Sequence, residues 1–224
     1  MTVLTQMTRS RLGRRWWWPV AAVGLAVAPV IARAPRPRIA EPEGVRTITD
    51  AAHVSRETGL TGWDLVAYAQ DLVHRKFTRH SILSVWETPG WAFRNSRGYC
   101  HQYNTALWLV LRELGFDAER VFATRVRQDD NPWWRMGHVW VQVTIDGRTL
   151  DVCAGRRENR PGKVSFVPVT DVLPFGRFTY WNSHNAMVLF TVATVWRSVL
   201  TRRPLPRWAE REFGTSVREG TPPQ

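Results

Sequence analysis

The stretch SRGYCHQYNTALWLVLRELGFDAERV, residues 96–121, decides how this chain is read. From Cys100 to Leu114, the apolar residues Tyr103, Ala106, Leu107, Val110, Leu111 and Leu114 recur every three or four positions. Arg112 and Glu113 fall on the opposite side. That period is an amphipathic helix. Gly115 follows the last apolar residue, where a left-handed residue closes a helix. Upstream, Trp91 to Tyr99 has no period and contains Gly98, so an irregular loop is expected there after a Pro89-Gly90 turn.

Downstream the period changes from helical to alternating. Ala118 to Val126, His138 to Ile145 and Arg148 to Val152 read as strands. The last two flank Asp146-Gly147, a strong two-residue hairpin signal. An earlier helix is expected to start at Gly62 after a capping Thr61, with Asp64 completing an imperfect capping box. Its stripe is Trp63, Val66, Ala69, Val73 and Phe77. A helix feeding an antiparallel sheet is an α+β domain.

Cys100 is singled out by its position. It opens a helix, where unpaired amides and the partial positive charge favour a thiolate, the nucleophilic form of cysteine. A thiolate needs a base that later returns the proton, and imidazole suits both roles near neutral pH. His138 shares a strand face with Trp140 and Gln142. Asp151, on the partner strand, is a candidate to orient the second ring nitrogen. A two-residue turn at Asp146-Gly147 pairs residues whose numbers sum to 293, so Asp151 opposes Gln142. That is four residues from His138, roughly 13 Å along the strand. A bulge or strong twist has to close the gap.

The segment just quoted, together with GHVWVQVTIDGRTLDV at 137–152, resembles the core of the transglutaminase-like superfamily. The resemblance runs over about residues 60–155. It implies a papain/transglutaminase-like fold, with the helix that carries the nucleophile packed on an antiparallel sheet. It also implies Cys100 as nucleophile, His138 as base and Asp151 as orienter. The chemistry it implies is acyl transfer through a thioester on a peptide or protein substrate, ending in amide hydrolysis or transfer to an amine. His101, Gln102 and Cys153 depart from the family's usual residues. RGYC followed by LGF is also similar to arylamine N-acetyltransferases. A binding module that keeps the fold without the chemistry is the other alternative.

The chain has 224 residues and a net charge of +12, but the charge sits at its ends. Residues 1–40 hold seven Arg and no acid, while 41–195 carry 18 bases against 16 acids. The thirteen Trp do not alternate with bases, and nucleic acid is not expected as a partner. No phosphate-binding glycine loop appears, and His53, His74, His80 and His184 have no metal-ligand spacing, so neither cofactor nor metal is expected. Two cysteines exclude a disulfide scaffold. Cys153 is expected to be reduced and structural.

Six segments are expected: a basic 1–15, a hydrophobic signal or anchor at 16–34, a Pro-rich linker at 35–48, the domain at 49–182, an apolar helix with a basic segment at 183–213, and a disordered tail at 214–224. Arg9, Arg11, Arg14 and Arg15 precede Trp16-Trp17-Trp18 and an apolar run ending near Ala32. The reading is a membrane-anchored or exported protein with an extracytoplasmic body. Trp133-Trp134 is read either as a substrate wall or as packing of an insertion. Ser183 is expected to cap a helix from about Asn185 to Leu200 that packs on the core or lies in a membrane interface.

Overall fold

Thr47 and Asp50 start the first helix of the body through a reciprocal pair of bonds. Asp50 N–H donates to Thr47 Oγ1 at 3.1 Å, and Thr47 N–H donates to Asp50 Oδ2 at 2.8 Å. This capping box opens α1 (Ile48–Glu57). These backbone bonds hold the Asp50 carboxyl below the usual carboxylate range. The computed structural model describes residues 18, 21–26, 28, 38–80, 87–129, 131–176 and 192–204. The expected segments 1–15 and 214–224 lie outside the described residues, as do Ser183, His184 and the first part, 185–191, of the expected C-terminal helix. Residues 192–201 of that helix are described and helical.

The linker reading of 35–48 needs correction from Arg38 onward. Thr78 Oγ1 donates to Arg38 O at 2.8 Å, Lys76 Nζ donates to Ala40 O at 2.6 Å, and Val45 is fully buried. The segment carries a 3-10 turn at Pro42–Gly44 and is strapped to the body. Its prolines hid this, because a strap held by side chains of other elements leaves no period in its own sequence.

The second helix, α2 (Gly62–Lys76), begins where expected, although Thr61 makes no side-chain cap bond. Of the expected stripe, Val66, Ala69 and Val73 are fully buried, and Leu72 is buried beside them. The next stretch departs from expectation. After a two-residue strand β1 (Arg79–His80), Pro89–Arg94 forms a short helix, α3, where a loop was expected. Thr88 Oγ1 accepts from Trp91 N–H at 3.3 Å, and Pro89 occupies the first turn. Six residues are too few to show a period, but the Thr-Pro start was there to be read. Then β2 (Arg97–Gly98) pairs in parallel with β1. Gly98 is required by crowding: a Cβ there would lie 2.8 Å from Phe77 Cε1 and 3.0 Å from Gln102 Cβ.

The central helix is α4 (Cys100–Glu113). Gly115 closes it at φ +92°, and Phe116 N–H reaches back to Leu111 O at 3.0 Å. Tyr103, Ala106, Leu107, Val110 and Leu111 are buried on its inner side. Against it lies an antiparallel sheet of β3 (Asp117–Gln128), β4 (Asn131–Ile145), β5 (Arg148–Val152), β6 (Phe166–Pro168) and β7 (Leu173–Pro174). The order is β5-β4-β3-β6, with β7 also on β3. The β4–β5 hairpin has the expected register, Gln142 opposite Asp151 and Val141 opposite Val152. The α+β reading holds, with the cysteine-bearing helix packed on an antiparallel sheet.

Candidate active site

Cys100 is the first residue of α4 and is buried. The helix start is fixed by Tyr99 N–H, which donates to Gln102 Oε1 at 2.7 Å, and by Gln102 and Tyr103 N–H groups that both donate to Tyr99 O. One turn further on, on the same side of the helix, stands Asn104, fully buried. Its amide is a three-way clamp. Nδ2 donates to Val139 O at 2.6 Å and to Cys153 Sγ at 3.5 Å, while Oδ1 accepts from Ala154 N–H at 3.0 Å. The start of α4 is thereby fastened to the middle of β4, beside His138, and to the chain just past the end of β5.

His138 is placed by an irregularity in the sheet. Between the pairs Ala123–His138 and Val126–Met136, β3 carries two residues against the single Gly137 of β4. Such a bulge adds twist and re-aims the side chains next to it. The His138 ring packs edge-on to Phe166, centroids 4.6 Å apart, and lies nearly parallel to Trp140 at 6.2 Å.

A second thiol faces the ring: His138 Nε2 lies 3.4 Å from Cys153 Sγ. Asp151 is one step removed. Its Oδ1 accepts from Trp140 Nε1–H at 2.7 Å and from Gln142 Nε2–H at 3.0 Å. The carboxylate thus holds the fully buried indole that stacks on His138. The 13 Å offset anticipated along the strand is bridged by Trp140, not by the bulge.

Sequence reading missed Asn104 and underrated Cys153, yet both were legible. Asn104 is the polar exception on an otherwise apolar helix face, four residues from Cys100. The hairpin register that sets Asp151 opposite Gln142 also sets Cys153 beside Trp140, closer to His138 than Asp151 is. Trp133 and Trp134 prove to be part of β4 and not of a loop, with their side chains outside the described residues. His74 Nδ1 lies 3.0 Å from Ala154 O, and His53 pairs with Glu57 at the surface. Among the described residues no cluster of His, Cys, Asp or Glu has the makings of a metal site.

Both cysteines are free thiols. Burial pushes the Cys153 thiol up to about 11, against opposing hydrogen bonds from Asn104 and from Gly155 N–H. The unfolded chain therefore ionises this thiol at lower pH than the native protein does. Stability is full below the unfolded value and falls as pH rises from there through about 11. The loss is expected to approach roughly 3 kcal/mol. Urea unfolding at pH 8 and pH 11 should show the wild type losing more stability than Cys153→Ala by about that amount. Equal losses in the two proteins would contradict the assignment.

Residues 55–150 match the transglutaminase-like superfamily. Among solved structures, the chain is similar to one described as a TGase, at 14% identity and a TM-score of 0.38, covering 53% of this chain and 34% of that one. The chain thus spans about a third of that structure's length. No curated protein matches it. The helix-on-sheet architecture agrees with the family match over residues 55–150, which are similar to a transglutaminase-like core.

Proposed function

We propose that the protein is a cysteine enzyme of acyl transfer, with Cys100 as nucleophile, His138 as proton carrier, and Asp151 acting on His138 through Trp140. The observation that carries this reading is the Asn104 clamp, which fastens the cysteine end of α4 to the backbone next to His138. In the reaction, the Cys100 thiol passes its proton to His138 as Sγ bonds to a carbonyl carbon of a peptide or protein amide, and the carbonyl π pair moves to oxygen. Collapse breaks the C–N bond, and His138 gives the departing amine its proton. The thioester left behind is then attacked by water or by a second amine, whose proton His138 takes; collapse breaks the C–S bond, and His138 returns that proton to Sγ. The helix start lends its positive end to the thiolate.

The test uses an activated ester of an N-acyl glutamine or glycine. Intact mass spectrometry of the quenched wild-type protein should show an acyl adduct that maps to Cys100. Cys100→Ala should show none, while Cys153→Ala should still acylate. Acylation that persists in Cys100→Ala would end the proposal, and so would a wild type that is never acylated, the outcome expected of a binding module.

The same proposal places the body outside the cytoplasm on a membrane tether at 16–34. Residues 18, 21–26 and 28 of this segment are helical, and Trp196 Nε1–H from the C-terminal helix donates to Ala26 O at 2.6 Å. Trp18, Val23 and Leu25 expose most of their surface. Among the described residues no helix is long and apolar enough to cross a membrane. The full chain should sediment with membranes and stay there in 1 M salt, where screening shortens to about 3 Å. Because the strap begins at Arg38, a chain starting there should be released with its fold intact. Release of the full chain by salt would contradict the tether.

A further inference from the structure

We propose that Cys153, rather than a carboxylate, is the direct positioning residue of His138, and that this thiol keeps Cys100 slow to react at neutral pH. The inference rests on the reading of Cys100 and His138 given above. Its basis is the 3.4 Å approach of Cys153 Sγ to His138 Nε2, the near-complete burial of Cys153, and the engagement of the Asp151 carboxylate by Trp140 and Gln142.

The chemistry of the two kinds of partner differs. A carboxylate can only accept, so it fixes the proton on the nitrogen that faces it and leaves the other nitrogen as the base. It also stabilises the imidazolium that forms when the base takes a proton. A thiol both donates and accepts. Cys153 keeps its proton well past neutrality, because burial disfavours the thiolate. Two N–H groups, from Asn104 and Gly155, already point at Sγ, which leaves the thiol proton free to be directed at Nε2. In that arrangement the ring proton sits on Nδ1, the nitrogen turned away from Cys153, so only the minor tautomer can take a proton from a nucleophile. A neutral neighbour also gives the imidazolium no counter-charge. Both effects lower the fraction of Cys100 present as thiolate beside an imidazolium.

Cys153→Asp is the informative change, because it supplies an acceptor-only group at the same place. The probe is iodoacetamide, with the alkylation rate at Cys100 measured by peptide mapping from pH 5 to 10 on the full-length protein. In Cys153→Asp the rate at pH 7 should rise about tenfold, and the midpoint of the profile should fall by about one pH unit. Cys153→Ser, which again both donates and accepts, should leave the midpoint near that of the wild type. A folded Cys153→Asp protein with an unmoved profile would overturn the inference.

Should Cys153→Asp fail to fold, Cys153→Ala replaces it, with the ¹⁵N shifts of the His138 ring as readout, since these report its tautomer. A change from the wild-type shifts is expected, and identical shifts would overturn the inference. The parent reading fails separately. If His138→Gln leaves the Cys100 rate untouched, the nucleophile–base pair itself is wrong. If His138→Gln slows Cys100 while Cys153→Asp changes nothing, only the role given to Cys153 falls.

Discussion

Asn104→Leu is expected to destabilise the protein by about 3 kcal/mol, more than its modest change in volume suggests, because it orphans buried backbone groups. Ala154 N–H loses its acceptor and Val139 O loses its side-chain donor, in a place from which water is excluded. Each such group costs about 1–3 kcal/mol when left unpaired. Leucine has the right size and no polar atom, so size does not rescue it. Asn104→Asp serves as a second variant. It keeps an acceptor for Ala154 N–H but sets an oxygen against Val139 O, and should therefore also destabilise. The measurement is the urea midpoint at constant slope, for both variants. A loss below about 1 kcal/mol in each would show that α4 is held on the sheet by apolar packing alone. The residual folded Asn104→Leu protein should also lose the difference in labelling between Cys100 and Cys153.

His138→Gln is expected to slow the alkylation of Cys100 at pH 7 by about a hundredfold, at the lower end of what a positioned base contributes. Glutamine keeps a polar side chain beside Phe166 and Cys153 but has no proton to exchange near neutrality. The wild-type advantage should shrink as the pH approaches the ordinary range of a free thiol, where Cys100 ionises without help. A constant ratio at every pH would point to changed access and not to a lost base. Far-ultraviolet circular dichroism and the thermal midpoint check that the sheet survives, since His138 is itself packed between aromatic rings.

The features that were legible in the sequence are those written in local periods and turn chemistry. α4 announces itself through six apolar positions and Gly115, and the β4–β5 hairpin through Asp146-Gly147, whose register is met residue for residue. What escaped was non-local. The strap at Arg38 to Val45 is held by Lys76, Thr78 and Ser96, residues 36 to 56 positions away. The bulge opposite Gly137 depends on how β3 and β4 meet, and neither strand shows it alone. At the site, Cys100 was recognisable because it opens a helix, and His138 because it heads the alternating run His138 to Ile145, although β4 itself starts at Asn131. The bond that ties Asp151 to Trp140 was not, because it needs the twist of two strands to bring indole and carboxylate together. Cys153 illustrates a different limit: its distance from His138 followed from the register, but a buried cysteine reads first as a small apolar residue.

The central claim is that Cys100, and not the thiol lying against the imidazole, is the nucleophile. Competitive labelling of the native protein at pH 7 with iodoacetamide, followed by unfolding and a second, isotopically distinct label, tests it most directly. Cys100 is predicted to take the first label at least tenfold faster than Cys153, which burial keeps protonated until about pH 11. First-label incorporation at Cys153 equal to or faster than at Cys100 would contradict the account.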